Sequence, residues 1–179
     1  MGTFDYERLI AKIPDFPTEG VVFRDITPLL ADGRGFAAVI DDIAEHFAGC
    51  GITKVMGAEA RGFMVGAPVA YRLRAGFVPA RKPGKLARDV YRQRYDLEYG
   101  TDELEICKDS IGPDDTVLIV DDLIATGGTA RAMVELTEQA GARLAGLGFL
   151  IELAGFDPRS IIAQVTDAEF ISLVSVDER

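Results

Sequence analysis

The chain has 179 residues, of which 48% are hydrophobic and 27% charged, a balance that excludes the disordered and fibrous classes and suits a folded chain burying roughly two thirds of its unfolded surface. A formal net charge of -10 argues against a nucleic-acid partner, because that binding draws its affinity from clustered Lys and Arg. No apolar run is long enough to span a bilayer, and MGTFDYERLI is too acidic and too short in its apolar part for a signal peptide, so no membrane partner is expected.

In chain order, residues 4–12 (FDYERLIAK) have helical spacing and end at Pro14, after which FPTEG reads as a turn into the extended VVFRDI. Over 35–48, Phe36, Ile40, Ile43 and Phe47 form one helical stripe, stopped by Gly49 and Gly51. KVMGAE then reads as a short buried strand, GFMVGAPVAYRLR as a helix and GFVPAR as another strand. Cys50 and Cys107 show no CxxC spacing and read as ordinary reduced residues, which points to the cytoplasm. Residues 82–100 break the alternation: they are polar, basic and punctuated by Pro83, Gly84 and Gly100, and read as a mobile excursion, while ELEIC at 103–107 alternates like a half-exposed strand. TVLIV follows as a central strand, TARAMVELTEQA as a helix capped by Gly141, and ARLAGLGFLIEL and EFISLVSV as the last strands. No repeat, low-complexity tract or linker is visible, so residues 1–179 are expected to form one domain.

Strands alternating with helices imply an α/β fold with right-handed crossovers and a mostly parallel central sheet flanked by helices. Ligands of such sheets bind beyond the carboxyl ends of the strands. That is where the stretch VLIVDDLIATGGT, Val117 to Thr129, places its chemistry. Val117 to Val120 suit a strand buried on both faces. Thr126, Gly127, Gly128 and Thr129 then lead into a helix, where close backbone approach, inward N–H groups, the helix dipole and two hydroxyls make a phosphate cradle. The lysine of GxxxxGK[ST] is missing and so is GxGxxG, which excludes the nucleotide-triphosphate and dinucleotide types. Asp121 and Asp122 beside a phosphate would repel it unless donor groups lie between them, and the two ring hydroxyls of a 5-phosphorylated ribose supply such donors. Residues 81–94 (RKPGKLARDVYRQR) are dense in Lys and Arg with one acid, Asp89. A positive stretch on a negative chain suggests a small anionic ligand.

The DD and TGGT residues resemble the phosphoribosyl-diphosphate motif of the type I phosphoribosyltransferases. FPTEGVVFRDITPLL, GAEARGF, RKPGKL and DLEYGTDELEI resemble the adenine-using members of that family in the same order and at the same spacings, from about Ile13 to Ile151. The resemblance implies the type I phosphoribosyltransferase-like fold, with a helix and base-recognising hood over about 1–33 and a flexible lid over about 82–100. It implies transfer of phosphoribosyl from phosphoribosyl diphosphate to adenine, giving AMP and pyrophosphate, with Mg2+ held mainly by substrate oxygens and water. Asp121, Asp122, Ala125, Thr126, Gly127, Gly128 and Thr129 would then hold the phosphoribosyl group. The turn at Ala60 and Arg61 would bind pyrophosphate, commonly with a non-proline cis peptide, here between Glu59 and Ala60.

Arg81, Lys82 and Lys85 suit a leaving group of several negative charges. By resemblance Arg81 reaches into a neighbouring subunit's site, which implies a homodimer, and Ala87 stands where many relatives have Pro, a departure that bears on the stiffness of the lid. Glu98 is implied as the residue that exchanges a proton at N7 of adenine, with Tyr99 positioning the ring or ribose. Phe23 offers a ring face for stacking a base, and the backbone of Val22 and Arg24 can read its edge, with Leu123 implied on the other ring face. Taken alone an apolar VVF is plain core, and the order of the motifs reverses that preference. His46, the single histidine, reads as a partly exposed helix residue without chemistry. Two alternatives stay open: a sister transferase for hypoxanthine, guanine, xanthine or orotate, and a non-catalytic phosphoribosyl-diphosphate sensor, which should carry a basic DNA-binding extension.

Overall fold

The computed structural model describes residues 4–96 and 100–177. The chain forms β1 (Ala11–Pro14), β2 (Val22–Asp25), α1 (Thr27–Ala31), α2 (Gly33–His46), β3 (Lys54–Ala58), α3 (Arg61–Leu73) and β4 (Gly76–Ala80). It continues through β5 (Val90–Asp96), β6 (Thr101–Cys107), β7 (Thr116–Ile124), α4 (Gly128–Gln139), β8 (Arg143–Leu153), α5 (Pro158–Ile162) and β9 (Glu169–Val176). Five strands make one sheet in the order β4-β3-β7-β8-β9, and every neighbouring pair in it is parallel.

The central strand β7 shows why this sheet needs cover on both faces. Val117 and Ile119 belong to one apolar cluster, with Met133 and Leu136 of α4. Leu118 and Val120 belong to the other, with Ile40 and Ile43 of α2 and Val65 and Val69 of α3. The period-two alternation of a strand thus becomes two cores, one per face. Helix α2 carries the expected stripe, with Ile40, Ile43 and Phe47 buried and Phe36 packed at the edge of the same cluster. Asp32 caps it by accepting from the Gly35 N–H at 2.7 Å. Among the described residues no helix is long and apolar enough to cross a membrane.

The structure corrects the reading of residues 4–12 as a helix. Only Glu7–Leu9 winds into a 3-10 turn, and Ala11–Pro14 pairs antiparallel with Val22–Asp25. Nine residues with a proline at hand are marginal as a helix, and strand pairing with the following segment satisfies the backbone instead. The excursion expected over 82–100 is corrected in its second half, because Val90–Asp96 pairs residue for residue with Thr101–Cys107. Arg92 lies opposite Glu105 and Arg94 opposite Glu103, with ion pairs of 2.8 and 2.9 Å, so the basic residues of this stretch stabilise a hairpin. Helices α1 and α5 were not expected, being single short turns that open on Pro28 and Pro158.

Gly146 of β8 faces Phe47, and a Cβ built on it would lie 2.3 Å from that ring and 3.0 Å from the Glu169 carbonyl. Phe47 is fully buried and has no room to move. Gly146→Ala should therefore lower stability by about 1–3 kcal/mol, read as a lower midpoint in thermal or urea unfolding, and an unchanged midpoint would contradict this packing.

Candidate active site

Strand β3 continues through α3 to β4 on one side, whereas β7 continues through α4 to β8 on the other. The carboxyl ends of β3 and β7 therefore flank the point where the sheet changes winding direction, and a crevice opens there. It is a cleft of about 510 Å³, lined by Ala58 to Arg61, by Asp121 to Ala130 and by Phe149.

The TVLIV strand was expected to end before the acids, but β7 runs on through Ile124 and holds Asp121 and Asp122 in its rigid frame. Both are buried, at 8% and 5% exposure. Asp121 lies under the start of α3, where a Cβ on Gly62 would stand 2.4 Å from its Oδ1, so only glycine allows this approach. The Asp122 N–H donates to Asp121 Oδ1 at 2.9 Å. Arg61 Nε meets Asp122 Oδ2 at 2.6 Å. Burial, and next the charge of Asp122, push the Asp121 carboxyl well above the usual carboxylate range, against the smaller pull of the Asp122 N–H and Arg61. Burial thus favours the neutral form of Asp121, and Asp122 is paired with Arg61, so positive charge from the chain itself also stands beside the acidic pair.

Beyond the acids, Gly127 takes a positive φ of 81° and α4 begins at Gly128 with no side chain capping its first turn. The Arg131 N–H donates to the Gly127 carbonyl at 2.8 Å, closing the first helical turn. N–H groups of residues lining the cleft are thus left for an anion, with the helix dipole behind them. Ile161 of α5 backs this turn, its Cγ2 3.3 Å from where a Gly127 Cβ would be.

The expected diphosphate cations gather on carboxylates of the chain. Arg81 Nε meets Glu59 Oε2 at 2.8 Å and Lys85 Nζ meets Glu59 Oε1 at 2.5 Å. Lys82 pairs with Asp102 and donates to the Tyr95 hydroxyl at 3.3 Å. Glu59 was missed by sequence reasoning, although its place directly before Ala60 and Arg61 in GAEARGF was a signal. Its burial works to raise its pKa, but Lys85 and Arg81 outweigh it and hold the carboxyl below its ordinary value. The Glu59–Ala60 peptide is cis.

The structure also draws the β1–β2 hairpin toward the cleft. The Arg61 guanidinium lies over the Phe23 ring at 5.6 Å, and the Phe16 ring meets the same Phe23 ring edge to face at 5.3 Å. Val22 is exposed and Arg24 buried, while Leu123 lines the cleft. Glu98 and Tyr99 lie outside the described residues. His46 sits at the surface of α2 and meets Glu169 at 2.7 Å, and neither lines the cleft.

Comparison with known proteins places this geometry in a family. A family model described as the phosphoribosyl transferase domain matches residues 25–172. The adenine phosphoribosyltransferase of Maridesulfovibrio salexigens is 50% identical over 164 residues, covering 92% of this chain and 96% of its own. The crystal structure of adenine phosphoribosyltransferase from Thermoanaerobacter pseudethanolicus superposes with a TM-score of 0.90 at 44% identity, over 96% of this chain and 98% of that one. The Giardia lamblia enzyme, solved with 9-deazaadenine, gives a TM-score of 0.91 at 38% identity over 99% of both chains.

The raised Asp121 carboxyl makes stability depend on pH. Because folding raises its pKa above the ordinary value, the stability it contributes is fully present below the ordinary carboxylate value and is lost as pH rises toward the raised one. Asp121→Asn removes that loss. The melting temperature of the variant minus that of the wild type should increase from about pH 4 to about pH 8 in ligand-free protein, and a difference that stays flat would show that Asp121 ionises normally.

Proposed function

The chain belongs to the phosphoribosyltransferases and, among them, to the adenine phosphoribosyltransferases, and on that premise we propose how its residues divide the reaction. The reaction moves the phosphoribosyl group of 5-phosphoribosyl 1-diphosphate onto adenine, giving AMP and diphosphate in purine salvage. One observation carries the assignment: a single cleft is lined by the carboxyl pair, the open start of α4 and Arg61.

In this reading the 5-phosphate occupies Ala125 to Thr129, held by backbone N–H groups and the Thr126 and Thr129 hydroxyls. The ribose 2- and 3-hydroxyls meet Asp122 and Asp121. As diphosphate leaves C1 the ribose gains positive charge, and the Asp122 carboxylate is placed to favour that charge. Arg61, Ala60, Lys82 and Lys85, with Arg81 from a neighbouring subunit, take the departing diphosphate, which makes the active species a homodimer. Phe23 and Leu123 cover the two faces of adenine, and the backbone of Val22 and Arg24 reads its edge. The 9-deazaadenine complex of the Giardia relative supports a purine-shaped ligand here. Glu98 takes the N7 proton as N9 bonds to C1, and Tyr99 helps to position the ring or ribose. Placement and charge stabilisation, rather than covalent chemistry, supply the rate.

Magnesium is part of the proposal. Asp122 is engaged by Arg61 at 2.6 Å and burial favours the neutral form of Asp121, so these acids fit a weakly protein-held ion whose other ligands are substrate and water oxygens. When bound, it reduces the negative charge of the diphosphate. A cytoplasmic setting accords with the two free cysteines, Cys50 and Cys107.

Purified protein supplied with magnesium, 5-phosphoribosyl 1-diphosphate and one nucleobase at a time should release diphosphate with adenine. Release with another base but none with adenine would reject the specificity and keep the class. Replacing both acids, Asp121→Asn with Asp122→Asn, should weaken binding of the ribosyl substrate by about tenfold or more, the scale of one lost charge-assisted hydrogen bond. Calorimetric affinity equal to wild type would remove the hydroxyl contacts from the account.

A further inference from the structure

We propose that Glu59 is an internal stand-in for diphosphate, a positioning carboxylate at the cleft that holds Arg81 and Lys85 and releases both when the ligand arrives. The proposal rests on the reading above that these two cations bind diphosphate. Each oxygen of Glu59 takes one of them, Oε2 with Arg81 at 2.8 Å and Oε1 with Lys85 at 2.5 Å. The side chain is only 8% exposed and lines the same cleft as Asp121, Asp122 and the start of α4.

The pattern extends to the other expected diphosphate cations, since Arg61 is paired with Asp122 and Lys82 with Asp102. Glu59 alone holds two. Without it, two cations that meet at one carboxylate would face each other uncompensated. With it, an arriving diphosphate competes with a carboxylate that already fills their donor positions. The backbone is built for such an exchange. Arg81 N–H and carbonyl are both bonded to Glu105, at 2.9 and 2.7 Å, and the Gly84 N–H donates to Glu105 Oε2 at 3.1 Å. The main chain is thus pinned, and the long side chains can transfer from one anion to another, whichever subunit's diphosphate Arg81 meets. Lys85 and Arg81 keep Glu59 ionised against its burial, so the competition persists across neutral pH.

Inorganic diphosphate with magnesium chloride, titrated calorimetrically into the ligand-free protein, tests this. Glu59→Gln, which keeps the shape and removes the charge, should bind diphosphate about fivefold more tightly or better, the scale of a partly exposed ion pair. Glu59→Asp, too short to span both cations, should show a smaller gain, and it serves as the test should Glu59→Gln fail to fold. A merely structural Glu59 would give unchanged or weaker diphosphate binding together with a lower melting temperature, and that result overturns the proposal. Lys85→Ala is measured beside them. If it leaves diphosphate affinity untouched while Glu59→Gln also does, the cation assignment itself has failed, whereas weakening by Lys85→Ala with no gain from Glu59→Gln rejects only the stand-in.

Discussion

Opposite charges brought together on buried carboxyls are the constraint that organises this molecule. Buried carboxyls at Asp121, Asp122 and Glu59 would be costly alone, and each is answered locally: by burial-driven neutrality, by Arg61, and by Arg81 with Lys85. Three of those partners lie on connections that leave the sheet at β3 and β4, so the site forms only when β3, β4 and β7 are correctly ordered. Charge compensation is therefore a consequence of topology rather than of sequence proximity.

The parallel sheet was legible because its signals are strong and local. An unbroken TVLIV states burial on both faces, and the stripe of Ile40, Ile43 and Phe47 states a one-faced helix. The failures have a common cause. FDYERLIAK has helical spacing, yet its last two residues enter β1 because VFRD, a few residues on, supplies a pairing partner. VYRQRYD reads as a charged excursion, yet Tyr95 is 8% exposed and its arginines face the acids of β6. In both cases a non-local strand partner decided the conformation, and single-segment periodicity does not report partners.

The site was legible to the extent that it is contiguous. DDLIATGGT placed nine cleft residues in one run, and the structure brings that run against Ala60 and Arg61. Glu59 escaped notice because its meaning comes from Arg81 and Lys85, more than twenty positions later. A carboxylate before an expected anion site looks unhelpful in sequence. Only the fold shows that it faces two cations.

The two ends of the ribosyl substrate meet different kinds of donor in the proposed assignment, and their fates differ accordingly. The 5-phosphate stays with the product, and its site is mainly backbone with two short hydroxyl side chains, fixed by a positive φ at Gly127 and backed by Ile161. Ile161 is itself anchored, since the neighbouring Arg159 grips the buried Glu152 through two contacts of 2.8 Å and stacks on Phe170 at 4.3 Å. That turn has few ways to move. The diphosphate must leave, and its donors are long side chains with alternative carboxylate partners close by. Rigid backbone suits the group that is kept, because ordering it costs no side-chain entropy at binding. Exchangeable side chains suit the group that departs, because a carboxylate ready to take back each cation lowers the cost of release.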